Sequence, residues 1–354
     1  MGERRVYEIL PMRSSSIGIG IIGSGRAGMI HARNFARLVP GAHVAAVGDA
    51  VEDTRREAAS ELGVKAFADY RQLLHDPAVQ GVVIAAPTAL HREIAVTAAE
   101  CGKHIFCEKP MAMNAAECDD MIAAADKEGV VLQIGFMRRF DAGFRAAHGR
   151  VMAGEIGDVV LVKSCTHGPT YPKPWMFDLA QSNGPLAEVC SHDIDTLRWF
   201  TGSDFTGVYA IAGNYRTPEA AARFPDFYDQ VLLSARFAND ALGCITGAQG
   251  VQYAYDSRVE IVGTQGLISI GGLSAGTTVI CTRDKELRQP SIVSWTSLYR
   301  DAYLAEAIEF VTAIREGRPA AVTGRDGRAA VAVVNAGNRS IVEKQPVSLI
   351  AAPP

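Results

Sequence analysis

From residue 17 to about 135, short runs rich in Val, Ile and Ala alternate with longer stretches in which apolar side chains recur every three or four positions. Continuous apolar runs suit strands buried on both faces, and the longer period suits helices that cover them. The pattern predicts strands at 17–22, 43–48, 64–67, 81–86, 104–107 and 130–135. The stretches 52–62, 91–101 and 115–127, rich in Ala and Glu, are the covering helices. Strand and helix alternating in this way build a parallel α/β sheet. After about residue 140 the pattern changes. One helical stretch at 144–153 precedes β-like runs at 159–166, 206–213, 228–237, 243–250, 257–263 and 267–271. Strands that follow one another through short turns imply a large, mostly antiparallel open sheet, the core of an α+β domain. Ala-rich helical stretches at 303–315 and 325–338 close the chain, and no repeat or flexible linker separates the halves.

Composition narrows the function. A length of 354 residues suggests about two domains, and 48 % hydrophobic against 21 % charged residues excludes a disordered chain. A net charge of −4 leaves no basic surplus for nucleic-acid phosphates. No apolar run is long enough to span a bilayer, and the first sixteen residues lack the apolar core of a secretory signal. They read as a tail in which Met12 is a possible alternative start. Seven cysteines without a CxxC pair suit reduced thiols in the cytoplasm.

The sharpest local signal is Gly23-Ser24-Gly25-Arg26-Ala27-Gly28, which follows the strand 17–22 and opens a helical stretch. The first glycine allows a tight turn, the second lets backbone approach a pyrophosphate, and the third lets helix pack on strand. About 20 residues further on, Asp49 ends the second strand, where a carboxylate accepts from an adenosine ribose and repels the 2′-phosphate of NADP. NAD is expected over NADP, although Arg55 and Arg56 stand near enough to fold over a phosphate. The expected architecture is a tail at 1–16, a Rossmann dinucleotide-binding domain at 17–136, and an α+β substrate and oligomerisation domain at 137–354, whose terminal helices could pack back on the first.

At the end of the fifth strand stands Cys107-Glu108-Lys109-Pro110, at the sheet edge where ligands of parallel sheets collect. In the stretch 184–200, with Pro185 suited to a first helical turn, a helical wheel places Leu186, Cys190, Ile194 and Leu197 on one stripe. Glu188, His192, Asp195 and Trp199 fall on the opposite stripe. Together with GxGxxG, the run Ala86-Pro87-Thr88-Ala89-Leu90-His91, and Gly135-Phe136-Met137-Arg138-Arg139-Phe140-Asp141, these motifs resemble the glucose–fructose oxidoreductase/inositol dehydrogenase/rhizopine catabolism (Gfo/Idh/MocA) family, nearest its inositol dehydrogenase branch.

The resemblance covers almost the whole chain and implies an NAD-dependent dehydrogenase acting on a secondary hydroxyl of an inositol, sugar or related polyol. It implies His192 as general base, Lys109 at the reacting oxygen and in a peptide commonly cis to Pro110, and Glu188 where the family usually has Asp. It further implies Thr88, His91 and Glu108 on the cofactor side with Lys109, and Met137 and Arg138 on the substrate side. Glu188 and Asp195 are expected to hold the imidazole or neighbouring substrate hydroxyls. Neutral imidazole takes a proton near neutrality, and an ammonium stabilises developing alkoxide. In the loop 167–175, His167, Tyr171 and Trp175 are candidates to cover a sugar face; His31, His43, His75, His104 and His148 read as structural. No metal site is expected, and a homo-oligomer, dimer or tetramer, is. An NAD-retaining glycoside hydrolase, a keto-sugar reductase and a non-catalytic NAD(P) sensor stay open as other uses of the same motifs.

Overall fold

A computed structural model describes residues 16–349, so the tail expected at 1–16, apart from Ser16, and the alternative start at Met12 lie outside the described residues. The first sheet has six parallel strands, β1 (Ile17–Ile22), β2 (Ala42–Gly48), β3 (Lys65–Phe67), β4 (Gly81–Ile84), β5 (His104–Cys107) and β6 (Leu132–Ile134), in the order β3-β2-β1-β4-β5-β6. Helices α1 (Arg26–Arg37), α2 (Glu52–Leu62), α3 (Tyr70–Leu74), α4 (His91–Glu100) and α5 (Ala115–Glu128) connect them. Every residue of β1 is buried, because helices cover both faces. The strand order reverses between β1 and β4, and a crevice opens there at the carboxyl ends of the strands.

The second half begins with α6 (Ala142–Met152) and β7 (Val159–Gly168), then α7 (Leu179–Ser182), α8 (Gly184–Glu188) and α9 (Ser191–Thr201). It continues through β8 (Phe205–Gly213), α10 (Pro218–Ala221), β9 (Gln230–Phe237), β10 (Leu242–Gln249), β11 (Asp256–Gly263) and β12 (Leu267–Gly272). A small hairpin, β13 (Ile280–Cys281) and β14 (Leu287–Arg288), precedes α11 (Trp295–Leu298), α12 (Arg300–Glu316), α13 (Gly324–Glu343) and β15 (Val347–Ser348). The large sheet runs β12-β11-β7-β10-β9-β8-β15 and is antiparallel except between β7 and β10. In β9, Val231, Leu233, Ala235 and Phe237 are buried while Leu232, Ser234 and Arg236 are exposed. One face thus carries α8, α9 and α13, and the other is open.

Two features of the fold matter for the site, and the first departs from the sequence reading. The single helix expected at 184–200 is two: backbone φ and ψ at Val189 are −107° and −52°, and α9 restarts at Ser191. The break lets Cys190 enter β10 at Gly247, where an added Cβ would lie 2.1 Å from the Cys190 sulfur. It also changes the helical phase, so the polar stripe of the single-helix wheel does not survive, and Ser191 to Leu197 are all buried. The second is α12, whose Ala307, Phe310 and Val311 share a core with Ile19 and Ile21 of β1 and Phe35 of α1. No helix among the described residues is long and apolar enough to cross a membrane.

Candidate active site

The glycine-rich turn sits at the crevice. Gly23 has φ +92°, and a Cβ on Gly28 would lie 1.9 Å from the Gly23 carbonyl oxygen. A Cβ on Gly25 would meet nothing within 4 Å, so the start of α1 faces open space, with Arg26 and Ala27 in its first turn. Asp49 is held beside this turn: its Oδ2 accepts from the Ser24 N–H at 2.7 Å and its Oδ1 from the Val51 N–H at 2.9 Å. The Ser24 hydroxyl is buried without a hydrogen-bond partner. An uncovered helix start, an orphaned hydroxyl and a fixed carboxylate fit the pyrophosphate and ribose of a dinucleotide. Arg55 donates to the Asp49 carbonyl at 2.7 Å, Arg56 pairs with Asp53 at 2.9 Å, and the Arg26 guanidinium lies 5.2 Å from the Trp295 ring centre.

Lys109 follows β5, and its peptide to Pro110 is cis. Its Nζ donates to the main-chain carbonyl of Glu188 at 2.8 Å, which ties the edge of the first sheet to the end of α8. His192 lies in the first turn of α9, packed edge-on to Phe136 at 5.9 Å. Burial, then the charges of Lys109 and Arg138, hold its imidazole well below the ordinary value, so it is neutral at pH 7. Its Nδ1 is enclosed and has no hydrogen-bond partner, so neither Glu188 nor Asp195 holds the ring there. The Glu188 carboxyl is pushed above the usual range by burial, with the Lys109 charge working in the opposite direction.

Several expected site residues do something else. Arg138, 1 % exposed, pairs with Asp193 at 2.9 Å and donates to Thr166 Oγ1 at 2.6 Å and Ser257 Oγ at 3.0 Å, so it joins α9 to β7 and β11 instead of facing a substrate. Asp195, expected beside His192, takes a two-pronged bond from Arg139, with Nε 2.9 Å from Oδ2. The helix break sets these roles, because it turns Asp193 and Asp195 inward toward the two arginines. Of the cofactor-side residues, His91 has Nδ1 2.9 Å from the Pro110 carbonyl and Nε2 2.8 Å from the Ala86 carbonyl, so it braces two loops from behind. Glu108 turns inward to His31, 2.7 Å away, and not toward the crevice. Thr88 and Met137 are buried in the walls.

On β7, alternation puts His167 on the face opposite Ser164 and Thr166, which bond Asp193. The His167 Nδ1 lies 2.6 Å from the Tyr253 hydroxyl, and Tyr171 is 51 % exposed. The structure therefore brings Lys109, Glu188 and His192 together and leaves His167 and Tyr171 apart. Two groups of metal-type side chains also meet, although no metal site is expected from the sequence: Cys165–His167–Asp256 and His31–Glu108–Glu306. In the first, Arg258 forks onto Asp256 at 2.7 and 2.8 Å and already supplies a cation. Sequence reasoning missed the second, because its members come from α1, the end of β5 and α12, and Glu306 is one of several charged residues in its helix.

The chain is similar to known proteins in sequence and in fold. Residues 17–136 match the profile of the oxidoreductase family with an NAD-binding Rossmann fold, and residues 144–269 match the GFO/IDH/MocA C-terminal domain. The myo-inositol 2-dehydrogenase of Thermotoga maritima is 34 % identical, over 94 % of this chain and 98 % of the relative. The NAD(+)-dependent scyllo-inositol 2-dehydrogenase of Bacillus subtilis is 32 % identical, over 93 % and 95 %. Among solved structures, a scyllo-inositol dehydrogenase from Lactobacillus casei with bound NAD(H) and scyllo-inositol is 25 % identical with a TM-score of 0.86, covering 94 % of this chain and 99 % of that one.

Proposed function

Because the chain belongs to the Gfo/Idh/MocA oxidoreductase family and carries its NAD-binding Rossmann domain, we propose that it oxidises a secondary hydroxyl of an inositol or related polyol, with His192 as the base and Lys109 at the reacting oxygen. The observation that carries this reading is that Lys109, at the carboxyl edge of β5, reaches the Glu188 carbonyl just before α9, in whose first turn His192 is buried. Gly23, Gly25, Gly28 and the start of α1 would cradle the pyrophosphate, and Asp49 the adenosine ribose. When bound, NAD supplies the hydride acceptor of the reaction.

The rest falls to this chain's side chains. His192 is neutral at working pH, and with Nδ1 enclosed its Nε2 is the nitrogen that takes the hydroxyl proton. Lys109, anchored by the Glu188 carbonyl, donates to the same oxygen and stabilises the charge that develops as the proton leaves. Glu188 thus acts on Lys109 through its main chain, while its carboxyl, one methylene longer than the family's usual Asp, stands in reserve for a substrate hydroxyl. Arg138 serves by fixing α9 against β7 and β11, and Asp195 by holding α9 to Arg139. The open face of the large sheet, with Tyr209, Ile211 and Leu232 exposed, pairs with other copies of the chain in a homo-oligomer. The protein works in the cytoplasm, where seven unpaired thiols stay reduced.

The experiment is NADH formation across a panel of inositols, aldoses and sugar acids with NAD or NADP. Turnover with NAD on an inositol is expected, and Lys109→Ala and His192→Ala each lower kcat about 10²- to 10⁴-fold. Wild-type turnover in both variants would remove the assignment, and bound NAD without net NADH would favour an NAD-retaining hydrolase.

A further inference from the structure

Behind the Lys109 turn, three ionisable side chains from separate segments meet in the dry interior: His31 of α1, Glu108 at the end of β5 and Glu306 of α12. Each is at most 6 % exposed, and one nitrogen or oxygen of each lies within 4.8 Å of the other two. His31 Nε2 is 2.7 Å from Glu108 Oε1, and Glu108 Oε2 accepts from the Lys109 main-chain N–H at 3.1 Å. Gly135 leaves the room for this inward turn, since a Cβ there would lie 3.1 Å from Glu108 Oε2. The rings of Phe106 and Tyr303 pack on His31 at 4.7 and 5.5 Å. Two complementary groups are left over: His31 Nδ1 and both oxygens of Glu306 are buried with no hydrogen-bond partner among the described residues.

Two carboxyl groups this close in a low-dielectric interior do not both ionise. Burial, then the Glu108 charge, lifts Glu306 well above the usual range. Burial also pushes Glu108 upward, but the hydrogen bond and charge of His31, then Lys109, outweigh it and hold Glu108 below its ordinary value. One proton therefore sits on Glu306 and the negative charge on Glu108. The other titratable groups that feel this charge are Tyr303 of α12, Cys107 of β5 and His91 of α4. Burial keeps all three neutral near pH 7, raising the phenol and the thiol and lowering the imidazole.

We propose that His31, Glu108 and Glu306 form a positioning unit for Lys109, in which a neutral Glu306 leaves one negative charge on Glu108, which is bonded to His31 and to the Lys109 main chain. The lysine is thereby gripped at both ends, its N–H by Glu108 and its Nζ by the Glu188 carbonyl. The proposal rests on the reading of Lys109 as the group at the reacting oxygen; the proton placement does not.

Two measurements on the full chain test it separately. A difference infrared spectrum at neutral pH, wild type minus Glu306→Gln, is expected to show the carbonyl stretch of a protonated carboxylic acid. Absence of that band overturns the proton placement, whatever the protein oxidises. In turnover, His31→Phe removes the bond that draws Glu108 down, so Glu108 takes up its proton at higher pH. The acidic limb of kcat is expected to move toward neutrality, with kcat at pH 7 falling about 10- to 100-fold and KM for the polyol changing far less. Glu306→Ala should show a similar loss and Glu306→Gln should rescue it, since an amide replaces a neutral acid. A loss of kcat with an unmoved pH profile, or no rescue by Gln, would mark the unit as packing only and overturn the positioning role. If His31→Phe does not fold, His31→Leu, which also removes the bond to Glu108, carries the same expectation. Absence of turnover on every polyol, with the infrared band present, would count against the dehydrogenase reading and the role of Lys109 while leaving the proton placement standing.

Discussion

Single residues divide the cofactor turn into two kinds of glycine. A Cβ on Gly28 collides with the Gly23 carbonyl at 1.9 Å, whereas a Cβ on Gly25 meets nothing within 4 Å. Gly28→Ala is therefore expected to lower the melting temperature and NAD affinity together. Gly25→Ala should leave the melting temperature within about 2 °C and weaken NAD at least 10-fold, as a methyl group obstructs the approach of a pyrophosphate. Thermal shift and calorimetry separate the two, and equal NAD affinity in Gly25→Ala and wild type would place the pyrophosphate elsewhere. His192 gives a second residue-scale prediction. Its folded value is depressed, so below about pH 6.5 the unfolded chain binds a proton that the folded chain does not. Its contribution to stability is complete above that pH and declines as pH falls through it. The acidic limb of kcat/KM should lie below the value of free imidazole; a limb above 6.5 would show that another group is the base. The close packing at Gly28 and the placing of Asp49 beside the glycine turn were legible from spacing. That of Glu108 was not, because motif spacing records position along a strand and says nothing of whether the side chain turns outward or inward.

At the scale of elements, the break between α8 and α9 decides what the site contains. Cys190 occupies the space a side chain at Gly247 would need, and this contact carries α9 against β10. Gly247→Ala is expected to cost about 1–3 kcal/mol of stability by overpacking and to lower kcat by displacing the start of α9. The double variant Gly247→Ala with Cys190→Ala should recover both in part, and a simple sum of the two single effects in a double-mutant cycle would show that the contact is not shared. Strands with continuous or alternating apolar runs were read from the chain to within a few residues, β1 and β9 among them. The helix break was not, since residues 184–200 hold helix-compatible types throughout and the interruption answers a glycine on a distant strand. For the same reason the sequence does not show that Arg138, placed on the substrate side by the family resemblance, and Asp195 are neutralised by Asp193 and Arg139, partners chosen by packing.

For the whole molecule, the question is what covers the open face of the large sheet. Tyr209, Ile211 and Leu232 are exposed there on neighbouring strands. Light scattering at micromolar concentration is expected to give a dimer or tetramer of the 37.8 kDa chain, and Ile211→Lys with Leu232→Lys to shift it toward monomer. A monomeric wild type would leave that face to solvent and end the oligomer reading. The amino-acid order alone settled the parallel first sheet, the glycine-rich turn at its first strand and the family to which the motifs belong. These depend on local period and spacing, which propagate along a chain without reference to distant residues. Which charged side chains face the crevice and which are paired inside was settled in three dimensions. That α12 returns to the first domain and brings Glu306 to His31 and Glu108 was settled there too. Burial and partnership are properties of elements packed together, and no stretch of sequence contains both sides of such a contact.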